Sequence, residues 1–203
     1  MNTANFDSRA AEWDDNPLRA ALAKGIAAAI RENVPLTKTM SAMEFGCGTG
    51  LISREVFPMV GTIKAIDLSP GMIEQLQKRI MESGLQNITA HCLDIFTDPP
   101  NKFFDLIFSG MALHHVPDTD ALLDKFVKLL APGGFIALAD LDTEDGTFHD
   151  ESAGPVHQGF DRDELMQKLR ARGFEKTAAV TAHVMHRKER DYPVFLITAR
   201  KTA

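Results

Sequence analysis

Apolar positions recur along the chain in two rhythms, and the order in which the rhythms alternate predicts an α/β architecture. Residues 39–45 read as a short buried strand running into glycines, 51–57 as a helix, 61–66 as a strand and 69–83 as an amphipathic helix. Strands over 87–93 and 103–109, a helix over 119–130 and a strand over 135–140 continue the series. Strands alternating with helices imply a parallel sheet covered on both faces. The last third changes character. A helix over 161–172, with Leu165 and Leu169 one turn apart, precedes strand-like runs over 174–185 and 193–201 that suit a hairpin. The charged stretch between them, Arg187-Lys188-Glu189-Arg190-Asp191, reads as a solvated turn. Ahead of the first strand the pattern predicts helices over 8–15 and 18–32, the second with Leu18, Leu22, Ile26 and Ile30 on one face. Such an extension either packs as plain structure or folds over a ligand cleft as a lid.

Composition narrows the function classes. The chain has 203 residues and a formal charge of −6, and no stretch concentrates Lys and Arg as a phosphate-neutralising face requires, so nucleic acid is not the expected partner. Its size fits one domain over 1–203: helices and a possible lid over 1–38, a binding core over 39–140, and a loop, helix and hairpin over 141–203. Cys47 and Cys92 are too few for a disulfide framework and lack the paired spacing of a thiolate metal site, which points to a reducing cytoplasm. No basic segment opens the chain, and no apolar run approaches the roughly 20 residues that span a bilayer. Neither secretion nor membrane insertion is expected.

The chemistry begins at Glu44-Phe45-Gly46-Cys47-Gly48-Thr49-Gly50. A strand that ends in closely spaced glycines and opens into a helix lets backbone approach a ligand. The dinucleotide fingerprint G-x-G-x-x-G needs a third glycine at position 51, where this chain has Leu51; Gly50 falls one residue early. That spacing disfavours a nicotinamide-dependent oxidoreductase. Glu44, an acidic residue at the strand end, suits an ammonium group instead. Asp67 closes the next strand 19 positions after Gly48, where a carboxylate accepts hydrogen bonds from ribose hydroxyls.

Five motifs then follow in order: E-F-G-C-G-T-G at 44–50, A-I-D-L-S-P-G-M at 65–72, H-C-L-D-I at 91–95, F-D-L-I-F-S-G-M-A-L-H-H-V at 104–116 and L-L-A-P-G-G at 129–134. Together they resemble the class I S-adenosylmethionine-dependent methyltransferases, and within them the small-molecule branch that includes the ubiquinone and menaquinone biosynthesis enzymes. The resemblance covers about residues 40–140. It implies a Rossmann-like, doubly wound sheet of seven mostly parallel strands, with a C-terminal antiparallel hairpin and an N-terminal helical lid. It also implies S-adenosyl-L-methionine as cofactor. Gly46, Cys47 and Gly48 would back its methionine part, Asp67 hold the ribose, Leu68 and Met72 flank the adenine, and Asp94 and Ile95 meet the adenine edge. Ser109 and Gly110, with Met111, would touch the methionine moiety, and Trp13 would close over the site in a lid segment.

Methyl transfer needs no enzyme nucleophile, but an acceptor that is not already nucleophilic must lose a proton to a nearby base. His114 and His115 follow the fourth strand, at the sheet edge where open α/β folds bind ligands. The long polar loop beyond the fifth strand carries His149 and His157, placed where acceptor pockets are built. His114, His149 and His157 are therefore the candidate bases, and no third ligand accompanies them to suggest a metal. Asp98-Pro99-Pro100-Asn101 looks like the signature of base N-methyltransferases but precedes the fourth strand instead of following it. The acceptor expected is a small molecule, methylated at oxygen, nitrogen or carbon. A protein that binds the cofactor without turnover, or serves as a partner subunit, would show the same cradle. Neither the oligomeric state nor the acceptor has a recognisable code in this sequence.

Overall fold

The computed structural model describes residues 3–148, 156–187 and 189–202. Seven strands form one sheet: β1 (Ser41–Phe45), β2 (Thr62–Asp67), β3 (Ile88–Cys92), β4 (Phe104–Gly110), β5 (Leu130–Leu141), β6 (Phe174–Arg187) and β7 (Arg190–Lys201). Their order across the sheet is β3-β2-β1-β4-β5-β7-β6. The first five strands are parallel, and β7 runs antiparallel to both β5 and β6. This is the doubly wound, mostly parallel sheet with a C-terminal hairpin that the alternating pattern implied.

Among the described residues six α-helices flank the sheet: α1 (Ala4–Arg9), α2 (Pro17–Asn33), α3 (Leu51–Val56), α4 (Pro70–Ser83), α5 (Thr119–Leu129) and α6 (Arg162–Ala171). Strand side chains alternate between the two faces of the sheet. Ala42, Leu106 and Leu196 join one core with Leu22, Ile26 and Ile30 of α2 and Ile73 and Leu76 of α4. Met43, Ile107 and Ile197 join the opposite core with Leu122, Leu123 and Phe126 of α5 and Leu165 and Leu169 of α6. Helix starts follow local chemistry. Ser69, Asp118 and Asp161 each cap a helix by accepting a backbone N–H, and Pro70 occupies a first-turn position.

Three elements differ from the pattern reading. The N-terminal helix breaks into α1 and a 3-10 turn at Trp13–Asp15 before α2 begins at Pro17 behind its Asn16 cap, because a residue before proline is pushed out of the helical region. Leu18 is 53% exposed, so the buried face of α2 starts one turn later, at Leu22. The last strands lengthen to meet at Arg187 and Arg190, where hairpin pairing extends into the charged stretch. Arg190 there bonds Asp145, and the Arg187 guanidinium lies over the Phe148 ring.

Among the described residues, no helix is long and apolar enough to cross a membrane. Ile30 is fully buried in α2, where it helps hold the N-terminal helices to the sheet. Ile30→Ala should lower unfolding free energy by about 2–5 kcal/mol in chemical denaturation, the usual range for truncating a buried isoleucine.

Candidate active site

The strand order reverses between β1 and β4, so the loops leaving their carboxyl ends diverge and open a crevice. A cavity of about 240 Å³ lies there, with walls from β1, β2, β4, the loop after β3 and the N-terminal segment. Gly46 and Gly48 turn the chain away from β1 with φ of +66° and +51°, left-handed values that favour glycine. The turn at Gly46 also has no room for a side chain: a Cβ there would fall 2.4 Å from the Ala112 Cβ, beyond the end of β4. The glycine run thus brings the loops after β1 and β4 into contact at the base of the cavity.

Three carboxyl groups line this mostly apolar space, Glu44, Asp67 and Asp94, and the first two are buried at its base. Asp67 ends β2 and accepts hydrogen bonds from the Gly48 and Ser69 N–H groups, each at 2.8 Å. One carboxylate therefore ties together the glycine turn, the end of β2 and the start of α4. Burial raises its pKa above the ordinary carboxylate value, against those two hydrogen bonds. Glu44, near the end of β1, is fully enclosed. Burial pushes its pKa up to about 8, opposed by hydrogen bonding from Ser53 and reinforced by the charge of Asp67. Among the described residues no cation pairs with Glu44. The Cys47 thiol is pushed well up by burial next to Asp67 and Glu44, which leaves it neutral.

The N-terminal segment covers the cavity. Phe6, Trp13, Arg19, Leu22 and Ile26 all line it. Two aspartates tie the segment down. Asp7 accepts from the Ser69 hydroxyl at 2.5 Å and the Gly71 N–H at 3.0 Å, and these bonds hold its pKa below the ordinary value. Asp14 accepts from the Thr49 hydroxyl at 2.5 Å and pairs with Arg54 at 2.8 Å and Arg79 at 3.2 Å. Phe6 packs against Trp13 with ring centroids 5.9 Å apart, and against the His115 ring at 5.1 Å.

Most of the residues singled out from sequence meet at this cavity: Trp13, Glu44, Gly46, Cys47, Gly48, Asp67, Leu68, Met72, Asp94, Ile95 and Gly110 all line it. Ser109 is not among them, because its side chain is buried and donates to the Phe45 carbonyl at 2.9 Å. The histidines sort differently from the sequence reading. His114 is buried behind the wall, its Nδ1 2.6 Å from Asp140 and its carbonyl accepting the Val156 and His157 N–H groups. His157 Nε2 is engaged with the Val116 carbonyl at 2.9 Å, away from the cavity lining. His149 lies outside the described residues. His115, the neighbour of His114, is the histidine in the wall. Spacing carried no hint of that, since a 3-10 turn decides which of two adjacent rings points inward. Arg19 carried a signal that went unread: it precedes Leu22 and Ile26 by three and seven positions, on the helical stripe that faces the cavity.

The sequence relationships agree with this geometry. Residues 42–134 match the model of a methyltransferase domain. That segment, together with the sheet order, makes the chain similar to the S-adenosylmethionine-dependent methyltransferases, among them one from Aquifex aeolicus, with a TM-score of 0.72 at 19% identity, covering 96% of this chain and 97% of that one. More particularly, it is 33% identical over 135 residues to an uncharacterised methyltransferase of Schizosaccharomyces pombe, a match spanning 59% of this chain and 48% of that protein. It is 34% identical over 116 residues to a ubiquinone biosynthesis O-methyltransferase of Xylella fastidiosa, spanning 56% of this chain and 46% of the relative. The chain thus spans about half the length of the curated relatives it matches. In three dimensions it is similar to the DhpI–SAH complex, with a TM-score of 0.75 at 24% identity, covering 98% of this chain and 94% of that one.

The buried Glu44 makes stability pH-dependent in a stated direction. It keeps a proton up to about pH 8 when folded but only to its ordinary 4.5 when unfolded, so the folded chain holds the extra proton in between. Its contribution is complete below the lower value and is lost as pH rises to the upper one, at up to about 1.4 kcal/mol per pH unit. Denaturation midpoints of Glu44→Gln should lack this fall, so that the variant gains on the parent chain as pH rises from 5 to 8.

Proposed function

We propose that this chain transfers a methyl group from S-adenosylmethionine to a small-molecule acceptor by in-line displacement. The observation that carries the reading is the pairing, in one cavity, of Asp67 held on the Gly48 N–H with an enclosed Glu44 that has no cation beside it among the described residues. A carboxylate at the end of β2 suits a ribose diol. A buried glutamate without a counter-charge suits an ammonium group, whose arrival would let it ionise. A ligand that joins an adenosine to an amino-acid end answers both.

When bound, S-adenosylmethionine supplies an electrophilic methyl group on a sulfonium centre. The chain's own residues then act by holding and enclosing. Gly46 and Gly48 let backbone approach the methionine part, while Leu68, Met72 and Ile95 supply apolar contact for the adenine and Asp94 a polar edge. Phe6 and Trp13 exclude water from above, and an aromatic face attracts a sulfonium cation. Alignment of this kind contributes up to about 7–11 kcal/mol to such a transfer. Where the acceptor has a proton to lose, His115 is the group at the wall to receive it. His114, held by Asp140, fixes the turn that presents it.

Calorimetry should find binding of S-adenosylmethionine and none of NAD, with Asp67→Ala weakening the former at least about tenfold, as expected when a charged hydrogen-bond acceptor is lost. Retained affinity in that variant would remove Asp67 from the site. S-adenosylhomocysteine formation, screened across metabolite extracts, would identify an acceptor, whereas binding without any product would convert the reading into a non-catalytic one. With an acceptor found, His115→Gln should lower turnover by about 10²-fold or more while cofactor affinity holds, the scale of a lost general base; unchanged turnover would exclude it. Trp13 fluorescence should change on cofactor addition if its ring closes over the site.

A further inference from the structure

Two aromatic side chains of the N-terminal segment line the cavity, and each is followed at once by an aspartate: Phe6-Asp7 and Trp13-Asp14, seven positions apart. The aspartates reach different loops. Asp14 takes the Thr49 hydroxyl of the glycine turn. Asp7 takes the Ser69 hydroxyl and the Gly71 N–H, and the Ser69 N–H donates in turn to Asp67. Glycine at 71 lets the two backbones meet, since a Cβ there would fall 3.1 Å from the Asp7 Cα. One residue before that anchor, the Phe6 ring meets the His115 ring in a T-shaped contact, 5.1 Å between centroids at an interplanar angle of 82°. His114 flanks the same imidazole at 4.2 Å and is itself held on Asp140. The His115 ring is therefore braced from β5 through His114 and from the N-terminal segment through Phe6. Perpendicular ring contacts prefer particular orientations. A proton acceptor works only within about 2.6–3.2 Å of the atom that gives up the proton, so orientation decides whether a histidine at the wall can serve.

We propose that Phe6 is a positioning residue for His115, and that Asp7 acts through it. The bonds from Ser69 and Gly71 to Asp7 seat the Phe6 ring, and that ring sets the His115 imidazole at the wall. The carboxylate at the end of β2 and the histidine beyond β4 stand on different loops, and this short segment joins them. The inference rests on the methyl-transfer reading for what His115 does. The placement of its ring by Phe6 and Asp7 is measurable without any ligand.

The test is NMR of the full chain with labelled histidine and phenylalanine, the His115 ring signals being identified by their loss in His115→Gln. The parent chain should show an Overhauser contact between the Phe6 and His115 rings. Phe6→Leu should move the His115 signals and leave those of His91 on β3 and His186 on β6 in place. Asp7→Ala should remove the Overhauser contact although both rings are retained, and move the His115 signals the same way. Asp7→Asn, whose amide oxygen still accepts from both donors, should restore the parent positions. The double variant Phe6→Leu with Asp7→Ala should match Phe6→Leu alone, because a residue acting through Phe6 has nothing left to act on. Neither substitution truncates the core, since α1 buries no residue of its own. An Overhauser contact that survives Asp7→Ala, an additive double variant, or His115 signals indifferent to Phe6→Leu would each overturn the proposal. Movement of all the histidines together would mean that the two residues hold the fold at large, and would overturn it too. Calorimetry of the parent chain with S-adenosylhomocysteine separates the two readings: absence of binding would strike methyl transfer and leave the coupling of Phe6 and Asp7 to His115 as measured.

Discussion

The site exists because β1 is buried between β2 and β4. From β1 the chain winds outward through β2 to β3, then returns to lay β4 on the other side of β1. Its connections must therefore leave the carboxyl edge in opposite directions, and the space between them cannot be filled by either. Burial of Ala42 and Met43 on the two faces of β1 fixes the register, so Phe45 lies opposite both Ile66 and Ser109 and the glycine turn begins over the crevice. Every feature of the cavity is positioned relative to that one strand.

Polar groups inside an apolar crevice are costly unless each has a partner. Asp67 meets the requirement with two backbone N–H groups, and in doing so holds the glycine turn, β2 and α4 in one arrangement. Glu44 meets it in part through Ser53 and otherwise by retaining its proton. The same economy governs the covering segment. Asp7 and Asp14 reach down to Ser69, Gly71, Thr49, Arg54 and Arg79, so charged contacts at the rim hold in place the short α1 and 3-10 turn, neither of which buries a residue of its own. Fully exposed pairs contribute little one by one, but these are partly shielded from solvent. Their effect here comes from several contacts anchoring one short segment.

The rest of the cavity wall is built by other means. Leu22 and Ile26 from α2, Met111 and Val116 beyond β4, and the rings of Phe6, Trp13 and His115 shape it. None of these stands in the glycine turn or at the end of β2, so they vary the shape of the cavity without touching the contact between Gly48 and Asp67. His114 and Asp140 have a supporting part. Their buried contact joins the end of β5 to the turn that carries His115, and His114 also takes up the backbone of residues 156 and 157.

What the sequence determined by itself was whatever depends on local chemistry. Apolar rhythm located all seven strands, Ser69 and Asp161 marked helix starts, and the spacing of Gly46, Gly48 and Gly50 with Asp67 set the cofactor class, because each signal involves residues a few positions apart or a fixed βαβ unit. Only tertiary structure decided the rest. It brought Asp7 to Ser69 across 62 positions and Asp14 to Arg54 across 40, turned His115 inward while His114 took Asp140, and set Arg19 on Trp13 at the cavity wall. Those outcomes depend on the angle at which one packed element meets another and on the direction a side chain leaves a short turn, and neither leaves a period in the chain.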